Sequence, residues 1–249
     1  MTADIRATRV HDAIGYGTDH STDATMAQAD RRERESPAMT TTADQSVRVA
    51  WAADAPAMAD VQVRAWQRAY QGMIPPEALD TDAVAAYWTT SLGKPTDARN
   101  RALVAVQRQP DQEAHEEGRV VGVAATGPCT DPDADPVADG ELLLLAVDPD
   151  ATRQGHGSRL LQAAMDTLRA DRFTRVVTWV FSTDDRLREF LTGAGWSADG
   201  AHRELAGDDR PLKQVRLHTA LAEDDGNVPG GGAGAGTETD TETDTGTAG

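Results

Sequence analysis

The chain has 249 residues, 41 acidic against 24 basic, a formal net charge of −17 and a single cysteine. That balance argues against sequence-independent binding of nucleic acid, and one cysteine excludes an intrachain disulfide framework or a cysteine-ligated zinc site. No run is apolar for long enough to span a bilayer, and the start MTADIRATRV lacks the apolar region of a secretion signal, so no membrane association and a cytoplasmic location are expected.

The charge is unevenly spread. Residues 1–46 carry 8 acidic and 5 basic groups, lack apolar periodicity and include the cluster RRERE. Residues 223–249 carry 7 acidic groups and no basic ones, running through GGGAGAG into TETDTETD. Such segments have too little apolar surface to offset the entropy of ordering, so both are expected to be disordered. Met39 stands shortly before the first foldable strand and is a candidate translation start. The span 47–222 is then expected to form one domain with its own core. The negative field of the chain favours cationic acceptors.

In chain order, Val47–Trp51 alternates as a half-buried strand. Asp54 and Pro56 offer an N-cap and a first-turn proline for a helix carrying Met58, Val61, Ala65, Trp66 and Ala69 on one face, with Tyr70 near its end. A second helix is predicted over about 82–92, with Val84, Tyr87 and Trp88. Strands follow at Arg101–Gln107 and Arg119–Thr126, joined by a polar turn, and then a loop over 127–140 rich in Pro and Asp. Glu141–Val147 holds four consecutive leucines and suits a strand covered on both faces. A helix over 155–170 presents Leu160, Leu161, Ala164, Met165 and Leu168 inward. Then come a strand at Arg175–Phe181 and a short helix at Asp184–Gly193 with Leu187, Phe190 and Leu191 inward. Two last strands are expected, around His202–Leu205 and at Leu212–Leu221. The order is β α α β β β α β α β β, with no internal repeat.

The junction Val147-Asp-Pro149 to Thr152-Arg-Gln-Gly-His-Gly-Ser158 carries the chemistry. Gly155 and Gly157 allow close approach to the main chain, and the first amides of a helix lack intrahelical acceptors at the positive end of its dipole. A strand leading into such a terminus suits a phosphate. A Walker loop needs a lysine that is missing here, and a dinucleotide fingerprint needs a third glycine where Leu160 stands. The pyrophosphate of an acyl-coenzyme A is the remaining candidate.

Gly155-His-Gly157 after Val147-Asp-Pro149, the strand–helix–strand–helix series that follows, Ala194-Gly-Trp196 and the opening helix Val61–Gly72 together resemble the GNAT family of N-acetyltransferases, in its bacterial form. The resemblance covers almost all of 47–222. It implies an α/β (α+β) fold: a mixed, mostly antiparallel twisted sheet of about seven strands flanked by about four helices. It implies acetyl-CoA as acyl donor, no metal, and transfer to a primary amine of a small molecule or peptide, by a monomer or homodimer. Glu141 is the implied general base. Leu145, Ala146 and Val147 would face the pantetheine arm. Arg153, Gln154, Gly155, His156, Gly157 and Ser158 would hold the pyrophosphate, and Asp184 stands where relatives often place Asn near the cofactor, or serves only as an N-cap.

Two positions depart from the family pattern. The signature begins on Thr152 rather than Gln or Arg, with Arg153 one place later. Leu191 stands where many members carry a tyrosine that protonates the departing thiolate. Tyr70 and Tyr87 are the only tyrosines of the body, and Tyr70 is the candidate near the acceptor loop. A thiol has a pKa of about 8.5, so its thiolate leaves tolerably without full protonation. The alternative is an acyl-CoA-binding or regulatory module with weak catalysis. His156 is expected to face solvent, His115, His202 and His218 are isolated, and Cys129 is expected to be a plain small side chain.

Overall fold

The computed structural model describes residues 45–108, 118–205 and 211–221. The elements, in chain order, are β1 (Gln45–Val49), α1 (Ala55–Ala69), α2 (Thr81–Gly93), β2 (Arg101–Gln107), β3 (Arg119–Pro128), β4 (Asp139–Val147), α3 (His156–Ala170), β5 (Arg175–Phe181), α4 (Asp185–Gly193), β6 (Ser197–Leu205) and β7 (Leu212–Ala220). This is the order expected from the sequence. The expected tail 223–249, most of the extension 1–46 with Met39, and the turn carrying His115 lie outside the described residues. Gln45 and Ser46, placed in the extension by composition, are the first two residues of β1.

The seven strands form one sheet in the order β1-β2-β3-β4-β5-β7-β6. Every neighbouring pair is antiparallel except β4 and β5. Parallel neighbours need a crossover, and α3 supplies it. One face of the sheet packs on α3 and α4, through Leu160, Leu168, Leu187 and Leu191. The other packs on α1 and α2, through Met58, Trp66, Tyr70 and Trp88. Strands covered on both faces have no need of polar alternation, which is why β2, β3 and β4 are apolar almost throughout.

Local differences from expectation have plain causes. β1 stops at Val49, and the chain turns into a single 3₁₀ turn at Ala52–Asp54 that leaves Trp51 exposed. Asp54 does not cap α1. Its carboxylate reaches back to the Trp51 N–H at 2.7 Å and is clamped by Arg48. Asp80 caps α2, accepting from Ala83 N–H. On that helix Trp88 is buried, donating to the Gln62 side chain at 2.8 Å, while Tyr87 faces out. β6 begins at Ser197, earlier than its polar sequence suggested, because β7 holds it across an irregularity after Ala198.

The Gly195-Trp196 pair closes α4. Gly195 has φ +90° and donates to Thr192 O, and Trp196 N–H reaches back to Leu191 O. That double bond pattern, with glycine in the left-handed region, is a Schellman end. It turns Trp196 into the core beside α3 and α4.

Candidate active site

β4 and β5 pair only at Asp139↔Arg175, Gly140↔Val176 and Glu141↔Val177. Beyond Glu141 the ladder between them ends, and the strands separate toward their C-terminal ends. Thr178 Oγ1 donates to Leu142 O at 2.8 Å, just above the last paired residues. On its other side β4 stays paired to β3 up to Val147↔Gly122. The register skips Leu143, a bulge in the middle of β4 that re-aims its neighbours.

The direction of the main-chain groups follows from alternation. Asp148 N–H donates to Val121 O at 2.8 Å, so Asp148, Ala146 and Leu144 point toward β3. Leu145 and Val147 then direct N–H and C=O into the cleft, where β5 no longer pairs with them. Ala146, between them, offers the cleft no main-chain group and packs its methyl on the α1 side.

At the open end of β4, Asp148 is fully buried. It caps the Pro149–Ala151 turn by accepting from Asp150 N–H at 3.1 Å. Arg64 of α1 and Arg119 of β3 both pair with it. Thr152 hydrogen-bonds Pro149 O, and Arg153 takes φ +59°. Gly155 follows at φ +84° as N-cap of α3. Arg159 N–H is the first to find its acceptor, Gly155 O, at 3.1 Å. The amides of Gly155, His156, Gly157 and Ser158 therefore have no place in the helical ladder. The side chains of Arg153 and Ser158 are exposed, whereas Gln154 bridges to Gln107.

His156 departs from expectation. It is buried rather than solvent-facing, and its Nε2 has no partner among the described residues. Burial chiefly, and then Arg159, holds its pKa below the usual histidine value, so the ring is neutral at physiological pH.

α1 spans the mouth of the cleft. Arg64 holds Asp148 beyond β4, and six residues on, Tyr70 donates to Asp184 at 2.5 Å beyond β5. Tyr70 also meets the Phe181 ring edge-on at 4.9 Å. Asp184 is the N-cap of α4, accepting from Leu187 N–H at 3.0 Å. Burial raises its pKa, partly offset by the Tyr70 hydroxyl. The tertiary fold thus joins two residues, Tyr70 and Asp184, that the sequence offered separately.

Glu141 stands at the last paired position of the cleft and is 4 % exposed, so it is not a solvated strand-end carboxylate. It lines a cavity of about 600 Å³ on the α1 and α2 face of the sheet. Leu191 is fully buried in the opposite core and has no polar group to offer. Cys129 is buried, and burial above all pushes its thiol up to about 12. Among the described residues no three His, Cys, Asp or Glu side chains gather into a metal-binding group, and no helix is long and apolar enough to cross a membrane.

Sequence reasoning missed Asp148 and Gln62 at this site. Asp148 carried a faint signal, an acidic residue between a strand and a proline. Gln62 carried none, because it comes from a distant element.

This arrangement, a parallel strand pair splayed beside a glycine-bearing helix start, defines the class. The model of the acetyltransferase (GNAT) family matches residues 64–196, and the chain belongs to that family. Solved structures show the same fold. The chain is 20 % identical to the yncA protein of Salmonella typhimurium, solved with its cofactor acetyl-CoA, with a TM-score of 0.54 over 72 % of this chain and 95 % of that one. It is 20 % identical to the ribosomal-protein-alanine N-acetyltransferase of Brucella melitensis, with a TM-score of 0.54 over 71 % and 99 %. It is 16 % identical to an N-acetyltransferase of Staphylococcus aureus Mu50, with a TM-score of 0.55 over 72 % and 99 %. No curated protein matches the chain.

Proposed function

We propose that this acetyltransferase uses acetyl-CoA to acetylate a primary amine by direct attack. The observation that carries the proposal is the β4–β5 cleft, with a buried carboxylate at its closed end and unladdered helix amides at its open end. Acetyl-CoA, when bound, supplies an activated acetyl thioester.

The chain's own groups divide the work. The main chain of Leu145 and Val147 binds the pantetheine arm as a missing strand would, and an N–H from the same edge serves as oxyanion donor. The amides from Gly155 to Ser158 take the pyrophosphate, with Arg153 adding charge from the rim. An alkyl amine is mostly protonated at neutral pH, its pKa being about 10. Glu141 takes a proton from the ammonium, directly or through water, before attack, since only the neutral amine has a lone pair. That amine then forms the N–C bond as the C–S bond breaks, and its surplus proton passes to water or to the departing sulfur. The electron pair leaves with sulfur.

Tyr70 is proposed as a positioning residue. Its proton is already shared with Asp184, and losing it would set two anionic oxygens 2.5 Å apart. The pair ties α1 across the mouth of the cleft, and the thiolate leaves without it. Acetyl-CoA binding with no thiol release across a broad amine panel would favour instead the weakly catalytic binding module.

Glu141→Gln tests the reading. Turnover should fall about 10²–10⁴-fold, the usual value of general-base help, while calorimetry finds acetyl-CoA affinity nearly unchanged. A wild-type rate across pH 6–9 would remove Glu141 from the role of base.

A further inference from the structure

The cavity beside Glu141 has a polarity of its own. Its walls come from α2, the end of β3, β4 and β6, and its volume of about 600 Å³ lies in the range of small-molecule sites, about 300–1,000 Å³. At its floor stands the buried Glu141 side chain.

The charged lining runs opposite to the chain as a whole. Glu141 is its one carboxylate, against the cations Lys94, Arg101 and Arg203. Two of these are engaged. Arg101 pairs with Asp171 at 3.2 Å, and Arg203 donates to Gln214 at 2.6 Å while lying over the Trp179 ring at 4.3 Å. Lys94, just past the end of α2, is exposed and makes no ion pair among the described residues. The cavity therefore offers a buried anion at its floor and a cation at its rim. That pattern complements a molecule carrying an amine at one end and an acid at the other.

We propose that the acceptor is a small amino-carboxylate, a free amino acid or close analogue. Its amine sits against Glu141, and its carboxylate faces Lys94. This refines the acetyl-transfer reading and rests on it. It also reverses the lean toward purely cationic acceptors that net charge suggested, because the local lining outweighs distant acidic groups screened by salt within about 10 Å.

The test uses matched acceptors in a thiol-release assay with the full chain: 4-aminobutyrate against butylamine, an α-amino acid against its amide, and a short peptide. The acid of each pair should show a kcat/KM at least tenfold higher than its neutral match. Lys94→Gln should bring that ratio close to one, Lys94→Arg should keep it, and 0.5 M salt should reduce it. Equal rates within pairs, preference for the peptide, or an unchanged ratio in Lys94→Gln would overturn the acceptor class while leaving acetyl transfer standing. Acetyl-CoA binding without thiol release for any acceptor would overturn acetyl transfer itself, and this proposal with it.

Discussion

Cys129 sits at the end of β3 among the carboxylates of Glu141, Asp131 and Asp139. Burial pushes its thiol up to about 12, and these neighbours add to the effect. The nucleophile is the thiolate, so Cys129 should resist iodoacetamide in the native protein at pH 7.5 and react only on unfolding. Alkylation of the folded chain within minutes, followed by mass spectrometry, would contradict this. Asp133 and Asp199 behave differently, since Arg216 bonds both. The Arg216 hydrogen bond holds Asp133 at about 2. For Asp199, burial works against ionisation but is outweighed by hydrogen bonds from Ala201 N–H and Arg216. Carboxylates lowered in the fold stabilise it above their unfolded pKa of about 3.9 and lose that contribution as pH falls through the folded value. Asp184, raised by burial, has the opposite sign, its contribution being lost as pH rises through its folded value. Thermal melts should show stability falling between about pH 4 and 2 as Asp133 protonates, with Asp199, also lowered, adding to the loss below its unfolded value. In Arg216→Met the fall should be shallower. That variant should also lose about 3–5 kcal/mol near neutral pH, because Arg216 and its partners Asp131 and Asp199 are nearly buried.

Among the elements, α3 depends most on a single residue at its start. Gly155 has φ +84°, and a Cβ there would lie 2.8 Å from Arg159 Nη1. Arg159 can swing away, so the cost of Gly155→Ala is mainly backbone strain, about 1–2 kcal/mol. Because the same turn presents the first helix amides, acetyl-CoA affinity should fall further than stability alone explains. Urea melts and calorimetry on one preparation separate the two effects. Elements of this kind were legible from sequence. The leucines of α3 recur at helical spacing, the β4 leucines form a short run bounded by turns, and each tertiary partner agrees with its local pattern. Where patterns failed, the partner lay elsewhere. Asp54 preceded a proline as an N-cap would, yet Arg48 of β1 drew its carboxylate into another turn. Tyr87 shared spacing with Trp88, but only Trp88 met a buried acceptor, Gln62.

For the whole molecule, the decisive feature is that β4 and β5 begin together and part after three residue pairs. α1 links the far ends of the separated strands, through Arg64–Asp148 at one end and Tyr70–Asp184 at the other. Asp148 holds two arginines and caps the turn leading to Gly155, so Asp148→Asn should loosen both α1 and the glycine turn. The expected cost is about 1–3 kcal/mol, modest because Arg64 and Arg119 are each about half exposed and can turn to water. The KM for acetyl-CoA should rise several-fold. An unchanged KM with lowered stability would leave Asp148 a purely structural acid.

Sequence by itself determined the order and type of the elements, the two-sided core and the glycine-bearing start of α3, because spacing, caps and turn residues are local properties. It also placed a glutamate early in β4, although that strand begins two residues before it, at Asp139. Only the tertiary structure decided that β4 and β5 separate, that Glu141 is buried at their last pairing, and that Tyr70 meets Asp184. It alone brought Lys94 and Arg203 around one cavity with that glutamate. Those facts depend on which surfaces meet across the sheet, and residues far apart in the chain leave no periodic trace of their meeting.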